Sequence, residues 1–306
     1  MPKLAQSLIA FERFMAGVKR HVVQVGDHRV VYSESGQGET ILLLHGFAAS
    51  GDSWNQLAAS LAKKQRVIAP DLPGWGASTR IEGESYGYPA QLERLQNLVQ
   101  ELKLDRFHLM GHSMGGFLAA AYAARFPEQV ITLGLLCPHG MSEPVPSDLA
   151  RSVEQGDNWL VVTSMKGFQR LLNNLFVKRP YIPGPIVKYL AQLAVRNSAK
   201  SREIFNEMQG NEPPLIQRLP QIKAPALIVW GDQDRVLHVS SAELVKASLK
   251  QAELVIVKGC GHMPLMEQTR AWTARYLALI GNPGDKGPAR LAPDLLCNPE
   301  RSEGSL

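Results

Sequence analysis

The chain has 306 residues, 45% of them hydrophobic and 20% charged, the balance of a globular protein able to bury one large core. Its net charge of +5 comes without a long Lys/Arg cluster, which argues against a nucleic-acid partner and leaves weak attraction to anionic membrane as the expected consequence. Three scattered cysteines, Cys137, Cys260 and Cys297, make neither a disulfide framework nor a zinc-ligand pattern and fit a reducing compartment such as the cytoplasm.

In residues 1–17, Leu4, Leu8, Phe11 and Met15 fall on one helical face. The spacing predicts an amphipathic helix within an N-terminal segment, 1–20, that packs on the body, frays, or makes peripheral contact with a membrane. Glu12 and Arg13 interrupt any signal-peptide core. Residues 21–25 and 29–34 read as strands joined by Gly26-Asp27, a hairpin. The wholly apolar run Ile41–Leu44 reads as a strand covered on both faces and ends in His45-Gly46-Phe47. A helix is expected over 50–64, a strand over 66–70, a Pro/Gly loop over 71–78 and a helix over 89–103.

Phe107–Met110 and Phe117–Ala124 flank Gly111-His112-Ser113-Met114-Gly115-Gly116. The uncharged stretch 107–124 approaches membrane-spanning length, but its Gly-rich centre argues for a buried strand and helix. Residues 130–136 form the next strand. Strands alternating with helices mean a mostly parallel sheet with helices on both faces, an α/β fold.

The alternation stops at Pro138. Residues 139–219 are mostly helical, with Phe168, Leu171, Leu172, Leu175 and Phe176 on one face and Ile186, Tyr189, Leu190 and Leu193 on another; Arg179–Pro185 is a rigid loop between them. This segment is expected to be a cap inserted into a core made of 21–138 and 220–280. In the second half of that core, strands at 225–230 and 253–257 alternate with helices at 240–249 and 267–280. The Pro- and Gly-rich segment 281–306 is expected to be disordered.

A serine between strand and helix in Gly-x-Ser-x-Gly sits at a sharp turn that needs small neighbours, and at a helix N-terminus that favours developing negative charge. Serine needs a base to become a nucleophile, and that base is usually a histidine oriented by a carboxylate. Asp234 and His262 follow two strand ends, where a parallel sheet gathers its site. Asp232 is the alternative acid; Asp234, further into the turn, is the one able to reach the histidine loop. The backbone N–H groups of Phe47 and Met114 are the expected oxyanion donors. His45 is expected to order its loop, His112 to point away from the serine, and Cys260 to be packing; His139 and His238 are loop residues without a role.

His45-Gly46-Phe47, Asp71–Ser78, Gly111–Gly116, Trp230–Asp234 and Gly259–Pro264 resemble the α/β-hydrolase superfamily from about residue 21 to 280, and the order Ser113, Asp234, His262 is the order of that family. Leu136–Gly140 and Cys260-Gly261-His262 resemble monoacylglycerol lipases and bacterial lipase/esterase relatives. The resemblance implies an acyl-ester hydrolase with no cofactor, acting on a lipid or other small ester under an apolar cap. Membrane-bound members carry an N-terminal transmembrane helix; this chain has at most an amphipathic one. Ser113 argues against the aspartate-nucleophile dehalogenases and epoxide hydrolases. A carbon–carbon bond hydrolase would use the same triad, with Arg170, Arg179 or Lys188 on a substrate carboxylate. A non-catalytic ligand-binding member would be expected to have lost one of the three residues.

Overall fold

A computed structural model describes residues 2–210 and 215–281, so the tail expectation falls almost wholly outside the described residues; Gly281 itself closes the last helix. One sheet holds β1 (Lys19–Val25), β2 (His28–Ser35), β3 (Thr40–Leu44), β4 (Arg66–Pro70), β5 (Phe107–His112), β6 (Val130–Leu136), β7 (Ala226–Gly231) and β8 (Ala252–Val257). Their order across the sheet is β1-β2-β4-β3-β5-β6-β7-β8. The hairpin β1–β2 and the β2–β4 pair are antiparallel, and every other pair is parallel. The parallel register aligns Leu44 with Gly111, His112 with Leu136, and Leu136 with Val229, so the C-terminal ends share one rim.

The strands β3 and β5 are buried along their whole length, which is why neither alternates apolar with exposed polar residues. Helices α2 (Asn55–Leu61), α3 (Tyr88–Glu101), α4 (Met114–Arg125), α9 (Ser241–Ser248), α10 (Pro264–Glu267) and α11 (Arg270–Gly281) belong to this core. The helix expected over 50–64 begins as a 3-10 turn, Gly51–Trp54, and the one expected over 267–280 is broken at Gln268-Thr269.

Every residue of α4 from Met114 to Ala124 is buried, and its alanines let it lie close on the sheet. The entry to α4 is closer still. A Cβ on Gly111 would stand 2.0 Å from the Gly115 carbonyl oxygen, and one on Gly115 would stand 2.2 Å from the Leu44 oxygen. Glycine at both positions is therefore a steric requirement of the strand–turn–helix crossing.

Between β6 and β7 the chain leaves the sheet and forms α5 (Asp148–Glu154), α6 (Met165–Leu175), α7 (Gly184–Arg196) and α8 (Ser198–Met208). Phe168, Leu172, Phe176, Val162 and Ala191 form a separate apolar cluster here, with Met263 and Met266 of the core packed against it. Ser147 and Ser164 cap α5 and α6 by accepting the N–H groups of Ala150 and Gly167. The first helix, α1 (Pro2–Met15), packs on α7. None of the described helices is long and apolar enough to cross a membrane.

Candidate active site

Ser113 has φ 54° and ψ −116°, a left-handed conformation costly for a residue with a Cβ. Ala48 and Cys137 also have positive φ, and both lie just past strand ends on the same rim, after β3 and β6. Strain concentrated in three turns at one rim marks a site whose geometry outweighs local comfort. The turn is held from both sides. The N–H of Ser113 donates to Leu136 O at 2.9 Å, while its carbonyl accepts from Phe117 and His139.

Asp234 and His262 meet. The Nδ1–H of His262 donates to Asp234 Oδ2 at 2.7 Å, with both side chains almost fully buried. Asp234 Oδ1 accepts from the N–H groups of Val236 and Leu237, so both carboxylate oxygens are engaged and its rotamer is fixed. Asp232 is spent otherwise: its Oδ1 accepts from Gly259 and Cys260 and holds the turn after β8. Cys137 completes the surroundings, its sulfur lying within 4.8 Å of the paired groups on Asp234 and His262. Burial pushes the Cys137 thiol well up, and Cys260 likewise, which keeps both protonated.

The imidazole of His262 is brought beside the serine turn by His112. The His112 Nε2–H donates to the His262 carbonyl at 2.7 Å, and the two rings lie 4.7 Å apart. His112 thus spends its Nε2 on the histidine loop and ties it to the elbow. From the other side, the His262 N–H donates to Leu175 O at the end of α6. Glu267 strengthens this junction by accepting from Gly261 with one oxygen and from Val177 and Lys178 with the other.

His45 orders the turn after β3. Leu72 N–H donates to its Nε2 at 2.9 Å, so Nδ1 carries the proton and donates to Gly46 O at 2.8 Å. Asp71, fully buried, accepts from the N–H of Gly51, the N–H of Ala77 and the guanidinium of Arg20. A Cβ on Gly46 would stand 2.9 Å from His112 Nδ1 and 3.3 Å from Ser113 Cβ, so the backbone entering Phe47 lies directly against the elbow. Phe47 is fixed between Trp75 at 5.0 Å and Phe205 of α8 at 6.0 Å, both edge-on.

Two neighbours escaped the sequence reading. His139 bonds through Nδ1 to the Tyr88 hydroxyl at 2.8 Å, and Tyr88 stacks on Phe117 at 3.6 Å. The only signal for His139 was its place one residue past Pro138 at a strand end. Glu267 had no signal, because its three partners lie in other loops. Arg170 pairs with Asp157 at 2.6 Å on the surface, and Arg179 and Lys188 are exposed.

Burial holds His45, His112 and His139 below the ordinary histidine range, His139 at about 4 rather than 6.5. The folded chain therefore binds fewer protons than the unfolded chain between these values. This stabilisation is complete above 6.5 and is lost as pH falls toward about 4. The expected result is a melting temperature that drops on acidification through that window. The drop should be shallower in His139→Gln, and a melting temperature independent of pH there would contradict the assignment.

A family model described as the alpha/beta hydrolase fold matches residues 39–269. The chain belongs to the α/β-hydrolase family. This hydrolase is 30% identical over 275 residues to monoacylglycerol lipase ABHD6 of Bos taurus, covering 85% of this chain and 81% of that one. It is 31% identical over 280 residues to Lipase 1 of Psychrobacter immobilis, covering 89% and 87%. A crystal structure described as a membrane phospholipase A, a novel bacterial virulence factor, superposes with a TM-score of 0.89 at 40% identity, over 92% of this chain and 91% of that one. Within the family the chain stands with the lipases and esterases, which are carboxylic ester hydrolases.

Proposed function

We propose that this hydrolase cleaves acyl esters of lipids through a covalent acyl-enzyme. Ser113 is the nucleophile, His262 the base and then the acid, and Asp234 the group that holds the imidazole. The observation that carries this reading is the 2.7 Å Asp234–His262 bond beside a strained serine turn. With the Nδ1 proton committed to Asp234, Nε2 is left bare to take the Ser113 proton as Oγ attacks the ester carbon. The resulting oxyanion is met by the N–H groups of Phe47 and Met114. Collapse expels the alcohol, which leaves with the proton from Nε2. Water activated by the same nitrogen then attacks the acyl-serine and releases the acid, restoring the hydroxyl. No cofactor is required by these steps.

Apolar groups flank both loops of the site: Trp75 and Phe205 beside Phe47, and Met263 and Met266 beside His262, under the cluster of α6 and α7. That setting supports an acyl chain as the part of substrate under the cap, with a monoacylglycerol or similar lipid ester as the substrate class. The carbon–carbon bond alternative lacks support in its own candidates, since Arg170 is paired with Asp157. We place the protein in the cytoplasm, with α1 in peripheral contact with lipid; Cys137 and Cys260 are both free thiols.

A chain-length series of p-nitrophenyl esters tests this. Each added methylene buried under the cap is expected to raise kcat/KM by up to about fourfold over the first few carbons, from ~0.8 kcal/mol per methylene. A flat series, or preferred turnover of a ring-cleavage dienoate, would refute the lipid-ester reading.

A further inference from the structure

His139 stands beside the serine turn and has no part in the steps above. It follows Pro138, whose Cα would lie 2.9 Å from a Cβ on Gly116, and its own N–H donates to Ser113 O at 3.0 Å. The loop after β6 is thus laid on the elbow by close packing and by a backbone bond. The ring of His139 is also close enough to His262 for a charge on one to oppose a charge on the other. Yet His139 is only half-buried, whereas Tyr88 and Phe117, stacked behind it, are covered. A ring backed by two buried aromatics and open on its remaining side lines the wall of a cleft, and its neighbours on that wall are Ser113 and His262.

The hydrogen bond behind the ring decides what the ring offers in front. The Tyr88 hydroxyl lies 2.8 Å from His139 Nδ1 and has no other partner among the described residues. Were Nδ1 to carry the proton, the Tyr88 O–H would be buried without an acceptor, at the full desolvation cost of that group. Tyr88 therefore donates to Nδ1, and the imidazole proton sits on Nε2. Burial keeps the ring uncharged at neutral pH, its pKa pushed down to about 4. Nε2 itself meets no partner among the described residues. The result is a neutral N–H donor at the wall of the cleft, held in direction by the aromatic stack.

We infer that His139 Nε2–H donates to a free hydroxyl oxygen on the alcohol half of the ester, selecting glycerol-type monoesters over simple alkyl esters. This rests on the ester reading, because it concerns the other half of the same substrate. The apolar groups beside Phe47 and His262 suit the acyl half, and the two oxyanion donors are committed to the carbonyl oxygen. A neutral donor suits an uncharged hydroxyl, whereas a phosphate in that place would call for a cation. A hydroxyl-free alcohol would strand the N–H against hydrocarbon, so the site penalises the wrong alcohol as well as rewarding the right one.

The test compares octanoylglycerol with propyl octanoate, which has the same acyl chain and alcohol carbons but no free hydroxyl. The parent is expected to favour the glycerol ester by ~10-fold or more in kcat/KM, and His139→Leu to bring that ratio close to one. A merely structural histidine would lower both rates together and leave the ratio in place. Binding is read without turnover in Ser113→Ala protein, using the uncleavable ether octylglycerol. Adding His139→Leu should weaken it about 3- to 10-fold. Circular dichroism shows whether each variant folds, and nitrogen-15 NMR of the parent needs no variant at all. It should show the Nε2–H tautomer of His139, which Tyr88→Phe converts to a mixture. An unchanged ester ratio in His139→Leu, an Nδ1–H tautomer in the parent, or a preference for octanoylglycerol phosphate over octanoylglycerol would each overturn the inference. Hydrolysis of neither ester, with octylglycerol binding still dependent on His139, would sink the catalytic reading and leave the role of His139 standing.

Discussion

Ser113→Ala is expected to lower ester turnover by about 10⁴- to 10⁶-fold, because nucleophile, base and orienter act as a unit and the oxyanion donors alone retain only residual catalysis. The fold should persist. The strained turn at Ser113 is maintained by backbone bonds to Leu136, Phe117 and His139, which the substitution leaves in place. A melting temperature close to that of the parent, together with loss of labelling by a fluorophosphonate, would assign the defect to the missing hydroxyl. Equal ester turnover by the two proteins would exclude Ser113 as nucleophile.

The second large effect separates two aspartates that stand two residues apart. Asp234→Asn keeps the shape of the side chain, but its amide no longer favours the proton on His262 Nδ1, so the productive tautomer is lost. A fall in kcat/KM of about 10⁴-fold is expected. Asp232→Asn retains an oxygen that can accept from Gly259 and Cys260. It should cost stability through weaker hydrogen bonds and change kcat/KM by less than ~10-fold. The reverse order of severity would transfer the role of acid to Asp232.

Sequence periodicity was most informative where burial is complete. The run Ile41–Leu44 is uninterrupted because both faces of that strand are covered, and no competing period obscures it. The pairing of Asp234 with His262 was readable for a related reason. A parallel sheet gathers its strand ends at one rim, so chain order and distance past each strand suffice to nominate Ser113, Asp234 and His262. The preference for Asp234 over Asp232 followed from reach alone, and the structure puts Asp234 on His262.

Elsewhere the pattern described a residue without identifying its partner. Leu4, Leu8, Phe11 and Met15 do share a stripe, yet periodicity cannot say which body meets it, and Leu4, Phe11 and Met15 face solvent. His139 bonds to a tyrosine 51 residues away, and Glu267 to backbone groups up to 90 residues away. Such contacts are made by topology and leave no local trace. The break at Gln268-Thr269 is invisible for the opposite reason: the apolar spacing continues across it although the helix does not.

The junction at Glu267 and Leu175 bears on how the molecule can diversify. The helical segment after β6 and the loop that carries His262 share hydrogen bonds, so they are coupled rather than separate cassettes. A chimera that imports a foreign segment here is expected to orphan the N–H of His262 and loosen its ring, even with Ser113, Asp234 and His262 all retained. Side-chain replacements within the existing segment are therefore expected to be tolerated better than its exchange as a block.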